Sequence, residues 1–289
     1  FTPPVGLDAY NRQGYHTQGI RPVNPPKRVL ITGAGSGLGQ ALALRFATAG
    51  AQVACVDIQA ERVQATLTQL SGSGHAAFTA DVSDDASMQA MADAVLAGWG
   101  VPDILINNAG IASGGDVLEA PISEWRHLWE VNVLSVVRGT KLFLPSMLAR
   151  GSGQVVNTAS FAGLAGAPGL MTYGVSKAAV VAFSEQLRAE CHGTGIDVSV
   201  ICPAFFKTNL MQSTVGTEKI KHLGQKMMDR SPDSLDQVAD RIFADIGKRR
   251  FLIIPTKNEP MLWRLKRFLP NVYFKELVKR AGPMQLKVK

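Results

Sequence analysis

The sequence predicts an α/β fold: a three-layer, doubly wound parallel sheet of about seven strands, with a C-terminal helical extension. Three observations lead there. From residue 28 onward, short β-branched runs alternate with longer stretches of helical periodicity. The short runs are almost continuously apolar, as strands buried on both faces are. The 289 residues contain no break in composition that would force two domains, and that length supports one large core.

RVLIT (28–32) reads as the first strand, with a helix from about Gly37 to Ala49. QVACVD (52–57) is the second strand, followed by a helix from Gln59 to Leu70. HAAFTA (75–80) is the third, and Ser83 is placed to cap the helix that carries Met88, Met91, Val95 and Leu96. DILINN (103–108) is the fourth strand, before a long helical region over roughly 121–149 with room for breaks. QVVNTAS (154–160), a helix over 172–192 and IDVSVICP (196–203) come next. Residues 204–233 form a long, partly helical connection, and SLDQVADRIFADIGK (234–248) is a helix before a last strand, FLII (251–254). The fold proper is expected over 28–255, with an extension over 256–289. Residues 1–27, rich in Pro, Gly and polar groups, read as an extended arm or a remnant foreign to the fold.

Composition narrows the function classes. Cys55, Cys191 and Cys202 are too few and too scattered for a disulfide framework, and no Cys/His cluster suggests a metal. No apolar run reaches the length of a membrane span, and the first residues lack the charged start and apolar core of a secretory signal. A reducing, cytoplasmic setting is the natural expectation. Twelve Lys or Arg and two Glu from Lys248 onward place +10 there, leaving −3 on the rest of a chain of net charge +7. The basicity thus belongs to the tail, and no nucleic-acid-binding pattern accompanies it.

ITGAGSGLGQAL (31–42) joins the first strand to the first helix. Gly33, Gly37 and Gly39 stand where a turn must be tight, let backbone approach a diphosphate and pack helix on strand. The free N–H groups of Ser36, Leu38 and their neighbours at a helix start suit that anion. Taken alone, the motif is equally a flexible turn; its strand-then-helix setting favours the phosphate loop of a Rossmann fold. Asp57 ends the second strand, twenty residues after Gly37, where a carboxylate can bond both hydroxyls of an adenosine ribose. It would repel a 2′-phosphate, and neighbouring Ser36 and Ile58 offer no compensating charge, so NAD is expected over NADP. Asp81 and Val82 end the third strand and could border the adenine, although capping competes for that role.

Tyr173 and Lys177 lie four residues apart, on one face of a helix. The ammonium there is expected to lower the pKa of the phenol, making a proton-transfer unit for an alcohol and its ketone. The plain alternative is a core tyrosine with a snorkelling lysine. Ser160 follows the fifth strand at the edge of the sheet where ligands bind, and Asn132 is an amide in an apolar helical stretch that needs a partner. Asn107 to Gly110, NNAG, closes the fourth strand at the same edge.

TGAGSGLG (32–39), Asp57, NNAG (107–110), Asn132, Ser160 and YGVSK (173–177) together resemble the short-chain dehydrogenase/reductase family, in its short single-domain NAD-using branch. The resemblance covers about residues 28–255, and it is the joint order and spacing that are specific. It implies Tyr173 as general acid/base, Ser160 on the substrate oxygen, Lys177 also on the nicotinamide ribose, and Asn132 holding a water that links Lys177 to solvent. It also implies cofactor contacts from Asn108, Ala109 and Gly110, and from Pro203, Phe206 and Thr208 in ICPAFFKT (201–208). Ala204 departs from the glycine usual in the family. A homodimer or homotetramer is implied as well.

The family does not fix the substrate. Phe161, Phe205, Leu210 and Met211, with Met227, Met228 and the small apolar stretch 161–171, suit a lipophilic secondary alcohol or ketone such as a steroid, terpenoid or long-chain alcohol. The same residues could instead pack a lid against the body. In the extension, Met261, Leu262, Leu265, Phe268 and Leu269 form one apolar stripe and Tyr273, Phe274, Leu277 and Val278 a second, with basic residues opposite. Docking on protein is favoured, and a peripheral membrane contact is the alternative. The competing function is a catalytically idle NAD-binding scaffold, which would need no proton relay. A nucleotide-sugar epimerase is disfavoured by the glycine spacing and by the lack of a separate substrate domain.

Overall fold

The computed structural model describes residues 28–206, 224–226 and 228–281. Seven parallel strands form one sheet in the order β3-β2-β1-β4-β5-β6-β7. They are β1 Arg28–Thr32, β2 Gln52–Asp57, β3 Ala76–Thr79, β4 Ile104–Asn107, β5 Gly153–Thr158, β6 Ile196–Ile201 and β7 Leu252–Ile253. The order reverses between β1 and β4, which pair in register at Val29 with Ile104 and Ile31 with Ile106. At such a reversal the connections leave to opposite faces, opening a crevice at the carboxyl ends of the strands.

Alternating side chains serve two cores. Val29 and Ile31 face Phe46 of helix α1 (Gly37–Thr48) and Val238 and Ile242 of helix α8 (Leu235–Gly247). The rings of Phe46 and Phe243 meet edge to face at 4.9 Å, fixing α1 against α8. Helix α2 (Ala60–Leu67) adds Val63 to the same side. Leu30, Leu105 and Val155 face the other way, toward helices α3 (Asp85–Ala94), α5 (Ser135–Arg150) and α7 (Met171–Glu190). Met88, Phe143, Met147 and Leu187 fill that layer.

One local expectation is corrected. Ser83 does not cap α3: Asp84 does, accepting from the N–H of Ser87 at 2.7 Å, while the Ser83 hydroxyl donates to Asp81. A carboxylate is the better acceptor at a helix start, and Asp84 sits one residue nearer the first turn. The region 121–149 is helix α4 (Ile122–Trp129), a π-helical turn over Glu130–Leu134, then α5. A further short helix, α6 (Phe161–Ala165), forms in a stretch without helical periodicity.

The extension is a helical hairpin, α9 (Glu259–Phe268) and α10 (Pro270–Ala281). It docks on α6: the Tyr273 hydroxyl donates to the carbonyl of Ala165 at 3.0 Å and the Lys266 ammonium to that of Leu164. The apolar stripes are not buried as units. Leu262, Leu265 and Leu277 are half-buried and Tyr273 is buried, but Met261, Phe268, Leu269, Phe274 and Val278 remain exposed. A ten-residue helix held through one side of its partner has too little neighbouring surface to cover a wide apolar face. Among the described residues no helix is long and apolar enough to cross a membrane.

Candidate active site

The crevice is built from the turns that follow β1, β2, β4, β5 and β6. After β1, Gly33 and Gly37 adopt φ of +67° and +54°, conformations open to glycine. A Cβ on Gly39 would lie 2.2 Å from the carbonyl oxygen of Gly33, so only glycine lets the loop fold back on α1. The start of α1 is left bare: Ser36 makes no side-chain cap and no acidic residue occupies the first turn. Its N–H groups, with the positive end of the helix, form a cradle for an anionic diphosphate.

Asp57 stands beside this loop. Its carboxylate accepts from the N–H of Gly35 at 3.1 Å and of Gln59 at 3.2 Å, which holds it at the crevice rim. Gly35 escaped the sequence reading. A Cβ there would lie 2.9 Å from the Asp57 carboxyl carbon and 2.7 Å from the Cβ of Arg62, so the glycine makes room for the acid. Its place in TGAGSGLG was the available signal. Ile58 is 59% exposed at the same rim. Asp81 is engaged locally by the N–H and hydroxyl of Ser83. The strand ends are tied together by Asn108, whose N–H donates to the Thr32 hydroxyl and whose amide donates to the Thr32 carbonyl, both at 3.0 Å. Ala109 donates to the same hydroxyl at 3.1 Å.

Asn132, Ser160, Tyr173 and Lys177 meet beside these turns. The π-helical turn carries Asn132, fully buried; its extra residue swings the amide out of the regular ladder and toward β4. Asn132 accepts from the N–H of Ile111 at 2.9 Å and donates to its carbonyl at 3.0 Å. It also donates to the Ser176 hydroxyl at 3.1 Å, and Ser176 donates in turn to the carbonyl of Tyr173 at 2.8 Å. Ser176 is the second residue the sequence reading missed; its position in YGVSK was the signal. Gly110 completes the packing, because a Cβ there would come within 3.0 Å of the Asn132 amide oxygen and 3.2 Å of the Lys177 nitrogen.

Lys177 is buried, with its ammonium 3.0 Å from the carbonyl of Thr158 and 5.9 Å from the centre of the Tyr173 ring. Burial lowers its pKa to about 8. Tyr173 departs from expectation. Its phenol is raised above the ordinary value, because burial outweighs the hydrogen bond with Ser160 that pulls it down. Ser160 also donates to the carbonyl of Pro203 at 3.2 Å and accepts from the N–H of Ala162 at 3.1 Å, capping α6. A half-buried phenol beside a buried hydroxyl and ammonium can hold an oxygen and exchange a proton with it.

Beside this cluster lies a half-buried carboxylate. Glu124 accepts from Ser113 and, at 2.9 Å, from Thr172, the residue before Tyr173. It pins the first turn of α7. On the substrate side, Phe161 is buried and Phe205 half-buried. Phe206 packs into the core beside Leu38 and Met228 is buried, so these two fill the interior. Val82 lies partly buried against the α3 layer. Thr208, Leu210, Met211 and Met227 lie outside the described residues.

Comparison with known proteins gives consistent likenesses. The short chain dehydrogenase family model matches residues 27–219. The chain is 35% identical over 255 residues to "Probable oxidoreductase EphD" of Mycobacterium tuberculosis, covering 84% of this chain but only 43% of that protein. The chain therefore spans less than half the length of that curated relative. It is 38% identical over 184 residues to the meso-2,3-butanediol dehydrogenase of Serratia marcescens, covering 64% of this chain and 73% of the relative. Among solved structures, a short chain dehydrogenase/reductase from Burkholderia phymatum in complex with NAD superposes with a TM-score of 0.79. Its identity is 30%, covering 90% of this chain and 98% of that one.

Proposed function

The chain belongs to the short-chain dehydrogenase/reductase family, and on that footing we propose that it interconverts a secondary alcohol and its ketone with NAD(H). The observation that carries the reading is the meeting of Tyr173 and Ser160 with the Lys177 ammonium, which lies 5.9 Å from the centre of the Tyr173 ring, at the carboxyl edge of the sheet.

The residues present fit the cofactor. The bare start of α1 and its glycine turn suit the diphosphate, and Asp57 suits a ribose bearing two free hydroxyls. Lys177 suits the second ribose, and the packing of Gly110 against it and the ties of Asn108 and Ala109 to Thr32 support that reading. When bound, the nicotinamide supplies the acceptor and donor of hydride. The chain's own groups manage the oxygen. Ser160 hydrogen-bonds it and Tyr173 takes its proton during oxidation or returns one during reduction. Lys177 provides positive charge next to the developing phenolate. Asn132, through Ser176, fixes the backbone turn that aims Tyr173.

Phe161, next to Ser160 in the chain, and half-buried Phe205, two residues past the Pro203 that accepts from Ser160, support a lipophilic substrate. The likeness to a butanediol dehydrogenase favours a second reading, a small diol. The test is NADH formation by the full chain across alcohols graded from polyols to steroids, beside Tyr173→Phe. Turnover lost in the variant with NADH binding retained supports the dehydrogenase. Full turnover in the variant overturns the role of Tyr173, and NADH binding with no turnover on any alcohol or ketone supports the scaffold. Preference along the series decides between lipophile and diol.

A further inference from the structure

The helical hairpin shows a surface that the rest of the chain leaves uncovered. Met261 and Phe268 are 69% and 66% exposed on α9, seven residues apart and so on one face. On α10, Phe274 and Val278 are 64% and 46% exposed, four residues apart. Leu269, between the helices, is 54% exposed. Large apolar side chains gathered this way mark an interaction surface.

Charge says what kind. Between residues 257 and 281 stand seven Lys or Arg and two Glu, a net +5. Exposed basic residues are interleaved with the exposed apolar ones: Arg264 and Arg267 around Phe268, Lys275 next to Phe274, Lys279 next to Val278. The core of a protein–protein interface is depleted in lysine, and here Lys275 and Lys279 stand directly beside Phe274 and Val278. In a two-fold dimer, this surface would also meet a copy of its own positive patch. Apolar side chains set among Lys and Arg are instead the composition of a helix lying in the headgroup region of an anionic bilayer.

We propose that α9 and α10 form a docking surface for anionic phospholipid membranes. The exposed apolar side chains enter the acyl boundary and the surrounding basic groups pair with lipid phosphates and carboxylates. The hairpin is fastened to α6 through Tyr273 and Lys266, and α6 begins immediately after Ser160. Docking therefore brings the membrane near α6, whose first residue follows Ser160. The inference stands on the hairpin alone and does not depend on the substrate.

The experiment is co-sedimentation of the full chain with vesicles of phosphatidylcholine, with and without phosphatidylserine. Binding is expected with phosphatidylserine, weakened by salt, and reduced at least about tenfold in Phe268→Ser/Phe274→Ser and in Lys275→Glu/Lys279→Glu. All four side chains are exposed, so both variants are expected to keep the wild-type melting temperature. Failure of the wild type to sediment with phosphatidylserine vesicles overturns the proposal, as does undiminished binding in both variants. Sedimentation velocity without lipid adds a second decision. If Phe268→Ser/Phe274→Ser dissociates an oligomer that the wild type forms, the face is a subunit contact and the proposal fails.

Discussion

At the scale of single residues, the site works through small imbalances between burial and hydrogen bonding. Burial raises the Tyr173 phenol and the Ser160 hydroxyl partly lowers it again. Alcohol oxidation needs the phenolate, so its kcat/KM is expected to climb with pH along a limb set by Tyr173. Ser160→Ala removes the lowering contribution, so the limb should move toward higher pH as well as lose height, by about 100-fold or more for a lost oxyanion partner. A pH profile of both proteins checks this; an unmoved limb would detach Ser160 from the ionisation. Asp57 offers a second test. Its carboxylate would repel a 2′-phosphate, and Arg62 lies against the same glycine. Asp57→Ser is expected to shift the ratio of NADP to NAD use by about tenfold or more, since removing one like-charge contact is worth at least about 1.4 kcal/mol in a shielded crevice. Initial rates with each cofactor decide it.

At the scale of elements, the strands were legible because both of their faces are buried, which leaves apolar runs such as RVLIT and QVACVD. The glycine turn, Asp57 and the Tyr173–Lys177 spacing were legible because chemistry restricts which residues can stand there. Other features were not. The π-helical turn at Glu130–Leu134 is a change of hydrogen-bond register, to which periodicity is nearly blind over five residues. Helix α6 is held by the Ser160 cap and by Gly163, where a Cβ would fall 2.6 Å from the Lys177 backbone carbon. Its apolar sequence carries no period because it is packed on more than one side. The role of Glu124 depends on residues 11 and 48 positions away. The clasp between the hairpin and α6 gives the prediction at this scale. Tyr273 and Lys266 hold α6, which places Phe161, whereas Tyr173 and Lys177 ride on α7. Tyr273→Phe/Lys266→Met should therefore raise KM by up to about 30-fold, the effect of about 1 kcal/mol for each of the two lost hydrogen bonds, with kcat changed less. Steady-state kinetics test the split, and an equal loss in both parameters would show that the clasp reaches α7.

At the scale of the whole molecule, a cation is held where the sheet, the π-helical turn and α7 converge. Among the described residues Lys177 has one protein oxygen at hydrogen-bond distance, that of Thr158, and its side chain is buried. Its folded pKa of about 8 lies below the ordinary 10.5. Between those values the unfolded chain binds the proton more strongly, so folding carries the full penalty below about 8 and loses it as pH rises toward 10.5. Lys177→Met keeps the length of the side chain and removes the charge. It leaves the Thr158 carbonyl without that donor, which offsets part of the gain. The net expectation is a protein about 1–3 kcal/mol more stable at neutral pH and nearly inactive, with the stability gain shrinking as pH approaches the ordinary lysine value. Thermal melts of both proteins across that range test the sign directly. A variant that melts lower at neutral pH would mean that the ammonium contributes to cohesion, and a gain independent of pH would assign the effect to packing. The expected pattern would identify the cost of the charge as one the fold bears for the reaction, since nothing in the core requires it.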